Sequence, residues 1–559
     1  MRFVQRAAPA GAPEASLPPK AYPAWFAALL RARGICSEAE ARAFLSPSLA
    51  GLHDPFLMPD MAKAADLLRE AVRRRDLVLV WGDYDADGVC SAAILLETLQ
   101  ELGALAKFHL PDRRREGYGL NADGVRKAAE AGVKLLVTVD CGISSVQEAA
   151  LAKSLGMTVI ITDHHELPET LPEADAILNP LLGGYPFPRL CGAGVALKIA
   201  QALQGLPGVE KRLDLAAIAT VADIVPLQGE NRIIVAEGLK RIASSPRPGL
   251  QALVRAAGLT PPITAMDLAF RLGPRLNAAG RLEGAAQAVT LLTRAQEPVA
   301  GQMAAKLDDL NAARQKQEMA LVTAAQEQLA RDFSPERDRV LVVAGEGWNP
   351  GLIGLAAGRL CKQYTLPAIV LSVREDGTAV GSCRSIPGVH IFALLSRCAD
   401  LLVRFGGHAQ AAGLTVEISA LPALKSRLNG ILLEETDPSV FVPSAEYDLE
   451  RQAGSWTEQD LCLLDQLEPT GCGNPPPVFL QPGAGLVSGR RVGSEGAHWK
   501  LRLQDADGFE VDGIAFNLGP DSERIGPRFD ALYVPVRNTF GGRTRIEARI
   551  EAVSPLDPN

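Results

Sequence analysis

Cysteine is scarce and unpatterned: nine residues are scattered over 559 positions, and no two are spaced C-x-x-C. An odd, dispersed set excludes a disulfide framework and a thiolate-built structural zinc site, and it fits a reducing cytoplasm. No apolar run approaches the ~20 residues of a transmembrane helix. The opening segment MRFVQRAAPAGAPEASLPPKAYP has charges and prolines where a signal peptide or anchor would be apolar, so no membrane partner is expected. Excess positive charge is missing too. With 57 Lys+Arg against 65 Asp+Glu the formal net charge is -8, so a polyanion would have to be gripped locally. Short basic clusters stand at Arg73, Arg74 and Arg75 and at Arg113, Arg114 and Arg115. No G-x-x-x-x-G-K-[ST] stretch exists, which disfavours a P-loop motor. There is no repeat of fixed period and no low-complexity tract. What is present, 47% hydrophobic and 22% charged residues, is the composition of ordinary globular domains, and the length suits about three or four of them.

The expected fold class is α/β: two α/β domains joined by a long helix, followed by a small β-barrel. Residues 1–54 are expected to be a partly ordered lead-in. Within 55–297, LVLVWGDYDADGVCSAAILLETLQELG reads as strand, acidic turn and helix, and KLLVTVD, MTVIITD and ADAILNP supply further strands alternating with helices. That alternation means a parallel sheet, whose ligands sit beyond the carboxyl ends of the strands. Residues 298–331 form one charged connector helix without Gly or Pro after position 301. A second α/β domain is expected over 332–436. Residues 437–559 are expected to be a further module entered through a linker over 437–448, in which KLRLQD, VDGIAF, ALYVPV and RTRIEARIEAV take a period of two with Gly-rich turns between them, as in a small antiparallel barrel. In its last strand Thr544, Ile546, Ala548 and Ile550 can face a core while Arg543, Arg545 and Arg549 face outward.

The chemistry concentrates after the strands. Asp83, Asp85 and Asp87 alternate in DYDADG, Asp140 ends VTVD, Asp163 precedes His164 and His165, and LAAIATVADIVPL delivers Asp223. One acidic turn residue is ordinarily a helix cap. Four segments supplying Asp and His are better explained by multivalent cations, because carboxylates this dense repel one another unless neutralised. Oxygen and imidazole donors suit Mn²⁺, Mg²⁺ or Zn²⁺. So many donors fit two ions, the arrangement that clamps a phosphoryl group for in-line displacement, and the expected chemistry is phosphoester hydrolysis.

DYDADG, VTVDCG, TDHH and TVADIVPL, in that order, resemble the motifs of the DHH phosphoesterase superfamily. PRLNAAGR (274–281), LDDLNAARQKQE in the connector, GSCRS (381–385), FGGHAQAAG (405–413) and LEPTGCGNPPPVF (467–479) narrow the resemblance to its single-strand-specific 5′→3′ DNA exonuclease branch. It runs from roughly residue 55 to the C-terminus. The resemblance implies a parallel-sheet DHH domain, a DHHA1 substrate-binding domain and an OB-fold, a platform for single strands. It implies degradation of single-stranded DNA to mononucleotides in recombination and repair, with two divalent ions, Mn²⁺ foremost and Mg²⁺ second. By resemblance Asp85, Asp87, Asp140, His164 and Asp223 are metal ligands. Asp83 lies beside them, His165 contacts the scissile phosphate or assists proton transfer, and Asp163 orients a histidine. Arg113, Arg275, Asn277, Arg281, Ser382, Arg384, Gly406, Gly407 and His408 are the implied substrate contacts, the DHHA1 motifs facing the metals across a cleft. The partner is DNA with a 5′ end, with single-strand-binding protein and a helicase as further candidates, and a monomer is expected.

Departures are also visible. Trp81 stands where many superfamily members carry a ligating histidine, and Thr470 stands where an aromatic is expected. No further C-terminal interaction domain is expected after the barrel. His53, His109, His390 and His498 read as structural, and Cys90, Cys141 and Cys383 as packing residues. Two alternatives remain open: the same chemistry on short oligonucleotides or cyclic dinucleotides, and a scaffold that has lost activity, against which stands the complete set of motif carboxylates and histidines.

Overall fold

A computed structural model describes residues 1–6, 22–112, 116–282, 284–540 and 542–556. The chain divides into two compact units, one built on Leu307–Ser444 and the other on Phe3–Gly280, Gly284–Lys306 and Ala445–Asn559. No helix among the described residues is long and apolar enough to cross a membrane.

The expected lead-in holds two helices, Ala24–Ala32 (α1) and Glu38–Leu45 (α2). This corrects the sequence reading over 22–54. Proline-rich neighbours hid the helical spacing of Phe26, Leu29 and Leu30, all fully buried. Helix α2 starts on a capping box in which Ser37 and Glu40 satisfy each other's backbone N–H groups.

Next comes a five-stranded sheet: β1 (Leu77–Gly82), β2 (Leu105–His109), β3 (Val133–Val139), β4 (Thr158–Thr162) and β5 (Ala176–Leu178). Its order is β2-β1-β3-β4-β5 and every pair is parallel. Strands β1 and β3 are near-continuous apolar runs, as strands covered on both faces require. The chain leaves β1 for β2 on one side and returns through β3 on the other. The crevice beyond the carboxyl ends of β1 and β3 is therefore a topological switch point, where such sheets bind ligands. Helix α3 (Ala86–Glu101) connects β1 to β2, and α4 (Gly192–Glu210), α5 (Leu213–Ala222), α6 (Gly229–Ile242) and α7 (Gly273–Leu282) follow the sheet.

The connector is one helix, Val299–Asp332 (α8), whose Leu321, Val322, Ala325 and Leu329 enter the core of the second unit. That unit carries β6 (Leu341–Glu346), α9 (Ile353–Tyr364), β7 (Ala368–Val373), β8 (Thr378–Arg384), β9 (Arg404–Gly407) and β10 (Ala411–Glu417). Its sheet, ordered β9-β10-β8-β7-β6, is mixed: only β6 and β7 run parallel.

At the C-terminus β11 (Phe479–Val492), β12 (His498–Gln504), β13 (Glu510–Ala515), β14 (Arg528–Phe540) and β15 (Arg543–Pro555) close into a ring through β11–β12, β12–β13, β13–β15, β15–β14 and β14–β11 pairings. Closure removes the exposed edges. Ala548 and Ile550 lie in the core with Ile546 against it, whereas Thr544, near the start of the strand, is exposed. The barrel's core is shared: Phe26, Leu29, Leu30 and Ala41 pack with Trp456, Phe479, Trp499, Phe529 and Tyr533. Arg451 lies 4.4 Å from the Trp25 ring and 3.8 Å from that of Trp456, a cation–π contact with both.

Because Leu30 is fully buried in that shared core, Leu30→Ala is expected to destabilise the barrel by about 2–5 kcal/mol. Urea unfolding followed by tryptophan fluorescence measures this. An unchanged midpoint would show that the N-terminal helices are dispensable to the barrel.

Candidate metal centre

The switch point gathers every acidic motif. Asp83, nearly buried, follows β1, and Asp85 caps α3 by accepting from the N–H groups of Asp87 at 2.9 Å and Gly88 at 3.0 Å. Asp87 lies inside the first turn of α3. Its two oxygens accept from the backbone N–H groups of Gly192 and Ala193, both at 2.7 Å, so the N-terminus of α4 is docked on this carboxylate. Gly192 is required there, since a Cβ would come within 2.5 Å of the Asp140 side chain. Asp140 directly follows β3 at φ 60°, a left-handed conformation, and its carboxylate lies near those of Asp83 and Asp85.

His164 is the hub. Its Nε2 stands 3.1 Å from Asp140 Oδ1, 3.7 Å from Asp223 Oδ2 and 3.8 Å from Asp87 Oδ2. Ligand atoms of Asp83, Asp85 and Asp140 lie within 4.8 Å of one another, as do those of Asp87, His164 and Asp223, and of Asp140, His164 and His165. Asp140 Oδ1, His164 Nε2 and Asp223 Oδ2 are buried without a hydrogen-bond partner among the described residues. Buried polar atoms left so are costly unless something else coordinates them. The donor set of carboxylates and imidazole fits divalent cations such as Mn²⁺ and Mg²⁺.

Electrostatics agree. Burial, then the charge of Asp87, lifts Asp85, Asp140 and Asp223 above the ordinary carboxylate range, Asp223 to about 8. Burial lowers His164, which favours the neutral imidazole that ligates metals. Asp163 plays a different part. Its oxygens accept from the N–H groups of Ile143 at 2.9 Å, His164 at 2.7 Å and His165 at 3.1 Å, and from His165 Nδ1 at 2.7 Å, so it orients the histidine pair. Burial opposes charge on His165, yet the hydrogen bond and charge of Asp163 outweigh it and raise this half-exposed imidazole to about 9.

Other predicted residues divide. Asn277, on α7, accepts from the Ala86 N–H at 2.7 Å and so braces the carboxylate loop. Arg275 donates to the Arg271 carbonyl at 2.7 Å, and Arg281 to that of Gly351 at 2.7 Å. Arg113 lies outside the described residues. In the second unit the strand register sets Gly406 opposite Gly413 and Gly413 opposite Ser382, which brings FGGH and GSCRS to one sheet end. His408 is exposed at the hairpin, its N–H donating to Ala411 at 2.8 Å. Arg384 contacts Ser382 Oγ at 3.2 Å and has no carboxylate partner among the described residues. The first turn of α9 meets this pair so closely that a Cβ on Gly354 would come within 3.0 Å of Ser382 Oγ. A helix N-terminus beside a half-buried arginine favours an anion.

Tyr118 escaped the sequence reading: its hydroxyl is 3.4 Å from both His165 Nδ1 and the Asp140 carbonyl, and Gly117 and Gly119 around it were the only signal. Trp81 faces away from the carboxylates, its Nε1 donating to Gly119 at 3.2 Å and its ring packed 4.3 Å from His109. Cys90, Cys141 and Cys383 are buried, which pushes their thiols up, Cys383 to about 12.

Comparison with known proteins matches residues 77–222 to the DHH family N-terminal domain, 337–434 to the DHHA1 domain and 447–552 to the RecJ OB domain. The chain is 42% identical over 506 residues to the single-stranded-DNA-specific exonuclease RecJ of Bacillus subtilis (strain 168), covering 90% of this chain and 64% of that protein. It is 35% identical over 560 residues to RecJ of Salmonella typhimurium, covering 94% of this chain and 95% of that one. Thermus thermophilus RecJ crystallised with Mn²⁺ superposes with a TM-score of 0.83 at 31% identity, over 100% of this chain and 80% of that chain, and with Mg²⁺ the TM-score is 0.77 at 30% identity, over 100% and 78%.

A carboxylate held above its unfolded-state pKa contributes stability only while protonated, and that contribution fades as pH rises through the folded value, about 8 for Asp223. A bound cation takes the proton's place. Excess Mn²⁺ is therefore expected to raise the unfolding temperature more on the alkaline side of that value than at mildly acidic pH, as scanning calorimetry can record. Equal increments would contradict the ligand assignment.

Proposed function

We propose, because this chain belongs to the RecJ family, that it is a metal-dependent 5′→3′ exonuclease that degrades single-stranded DNA to mononucleotides. The observation that carries the proposal is the convergence, at the switch point of the first sheet, of buried carboxylate and imidazole atoms that have no hydrogen-bond partner among the described residues. Asp85, Asp87, Asp140, His164 and Asp223 hold two divalent ions, with Asp83 alongside. Those ions, when bound, supply Lewis-acid polarisation of the scissile phosphoryl group and offset the charge that grows on it.

The chain's own groups do the rest. Asp163 accepts from His165 Nδ1, so the opposite ring nitrogen is presented, and the lifted imidazole can contact the phosphate or pass a proton to the departing oxygen. The Tyr118 hydroxyl steadies the His165 ring. In the second unit Ser382, Arg384, Gly406, Gly407 and His408 seat the 5′-terminal phosphate. Its extra charge separates it from internal phosphates, and the Arg384 guanidinium, which has no carboxylate partner among the described residues, reads that difference. Arg113 is a further candidate for that seat, and Arg275 and Arg281 are assigned to the DNA backbone. On the barrel Arg490, Lys500, Arg543 and Arg545 line a groove with Asn538 and Glu547, and this basic face tracks the strand. Single-strand-binding protein and a helicase are the partner classes that would supply such ends, and a cytoplasmic monomer is the proposed working form.

Asp140→Ala should abolish hydrolysis while the fold stays intact, since a residue past a strand end can be lost without emptying the core. Retention of more than roughly a few per cent of the Mn²⁺-dependent rate would overturn the two-ion assignment, given the thousandfold scale on which such electrostatic groups act.

For end recognition, Arg384→Ala should weaken cleavage of a 5′-phosphorylated strand far more than of a 5′-hydroxyl strand. Equal losses, or digestion from the 3′ end, would reject the phosphate seat. The barrel's role is better tested by charge reversal at Arg490 and Arg545 than by truncation, because removing the barrel also exposes Phe26, Leu29 and Leu30. The reversed protein should lose affinity for long strands and keep its rate on very short ones.

A further inference from the structure

Arg232, on α6, carries five N–H donors and spends all five on backbone carbonyls. Nε donates to Phe44 at 2.6 Å, one terminal nitrogen to Leu467 at 3.0 Å and Pro469 at 3.1 Å, and the other to Gln466 at 3.0 Å and Glu468 at 2.8 Å. The residue is 2% exposed, and its guanidinium also lies 3.8 Å from the Phe44 ring. A fork of this geometry shapes whatever it grips, and here it grips the 466–469 turn that leads into the barrel.

The turn continues into a clamp on the segment behind Asp223. Asn474 donates back to Leu467 at 2.8 Å and Pro469 at 2.9 Å, and Thr470 is buried against Glu468. From this folded loop the Cys472 carbonyl accepts from the Leu227 N–H at 2.7 Å, and that of Gly473 from Gln228 Nε2 at 2.8 Å. Asn231, adjacent to Arg232, donates to the Pro226 carbonyl at 3.0 Å. Only Ile224 and Val225 separate this clamped stretch from Asp223. Ile224 sits at φ 60° and is 71% exposed. A β-branched residue adopts that conformation only where its surroundings impose it.

We propose that Arg232 is a positioning residue of the metal centre. By holding the 466–474 loop in shape it holds 226–228, which imposes the left-handed turn at Ile224 and aims the Asp223 carboxylate at His164 and Asp87. The barrel-entry loop thereby supports the metal site through its backbone contacts to Leu227 and Gln228. This rests on the assignment of Asp223 as a metal ligand.

The test is a double-mutant cycle on the full chain, read by Mn²⁺ titration with electron paramagnetic resonance. Asp223→Asn should weaken Mn²⁺ binding, and Arg232→Lys, which keeps the charge and loses the fork, should weaken it roughly tenfold, the scale on which partners behind a ligand act. In the Asp223→Asn background Arg232→Lys should add nothing further, because both act through one carboxylate. Gly473→Ala offers a route that leaves Arg232 untouched: its methyl would lie 2.8 Å from Pro226 at a φ of +68°, and it should reproduce the weakening. If Asp223→Asn leaves Mn²⁺ affinity unchanged, the ligand assignment fails and this proposal with it. If Asp223→Asn weakens binding while Gly473→Ala and a folded Arg232→Lys do not, or if the losses simply add, the positioning role is overturned and the metal centre stands.

Discussion

Mutual repulsion among buried carboxylates is the constraint around which the larger unit is organised. Asp83, Asp85, Asp87 and Asp140 are drawn to one crevice by the parallel sheet, and Asp223 is brought there by the end of α5. Water that would screen them is excluded, which is why burial raises Asp85, Asp140 and Asp223. The fold answers with fixed dipoles: the N-terminus of α4 on Asp87 and the N–H groups of α3 on Asp85. Asp140 Oδ1, His164 Nε2 and Asp223 Oδ2, buried without a hydrogen-bond partner among the described residues, lie close together.

The two buried cations most involved in the architecture solve a different problem in different ways. Lys198 pairs with Glu230, whose other oxygen accepts from Tyr185, an ion pair enclosed by hydrogen bonds. Arg232 has carbonyls instead of a carboxylate. Hydrogen bonds to a charged group contribute about 1.5–3 kcal/mol each, and five of them can offset much of the desolvation that lowers its pKa to about 10. The surplus is structural: it ties Phe44, the barrel-entry turn and α6 together, against about 1–3 kcal/mol for a strained residue such as Ile224.

The second unit handles charge with far fewer groups. Its sheet register does the assembling, because antiparallel pairing of β8, β9 and β10 brings residues about thirty apart in sequence into one row. Gly354 lets the α9 terminus approach Ser382 and Arg384, so a backbone dipole and a guanidinium act at one point.

The sequence by itself determined the periodicities and the chemistry: alternating strands and helices, the change to a period of two near the C-terminus, the connector found at Val299–Asp332, and the acidic and histidine motifs that contain Asp85, Asp87, Asp140, His164 and Asp223. These were legible because each is a local pattern, a run of apolar residues or a cluster of acidic and histidine residues just after a strand or, for Asp223, a helix. The orienting role of Asp163 came from the family resemblance. Only the tertiary structure decided what depends on distant partners. The helices at 24–45 belong to the barrel because their apolar stripe needs a core that lies over 400 residues away, as the Trp25 contact with Asp460 illustrates. Asn277 is a brace on Ala86, Trp81 turns away from the carboxylates, and Tyr118 reaches His165. The five carbonyls around Arg232 have no signature in any side chain, since backbone acceptors are the same at every position, and only folding could choose which of them meet.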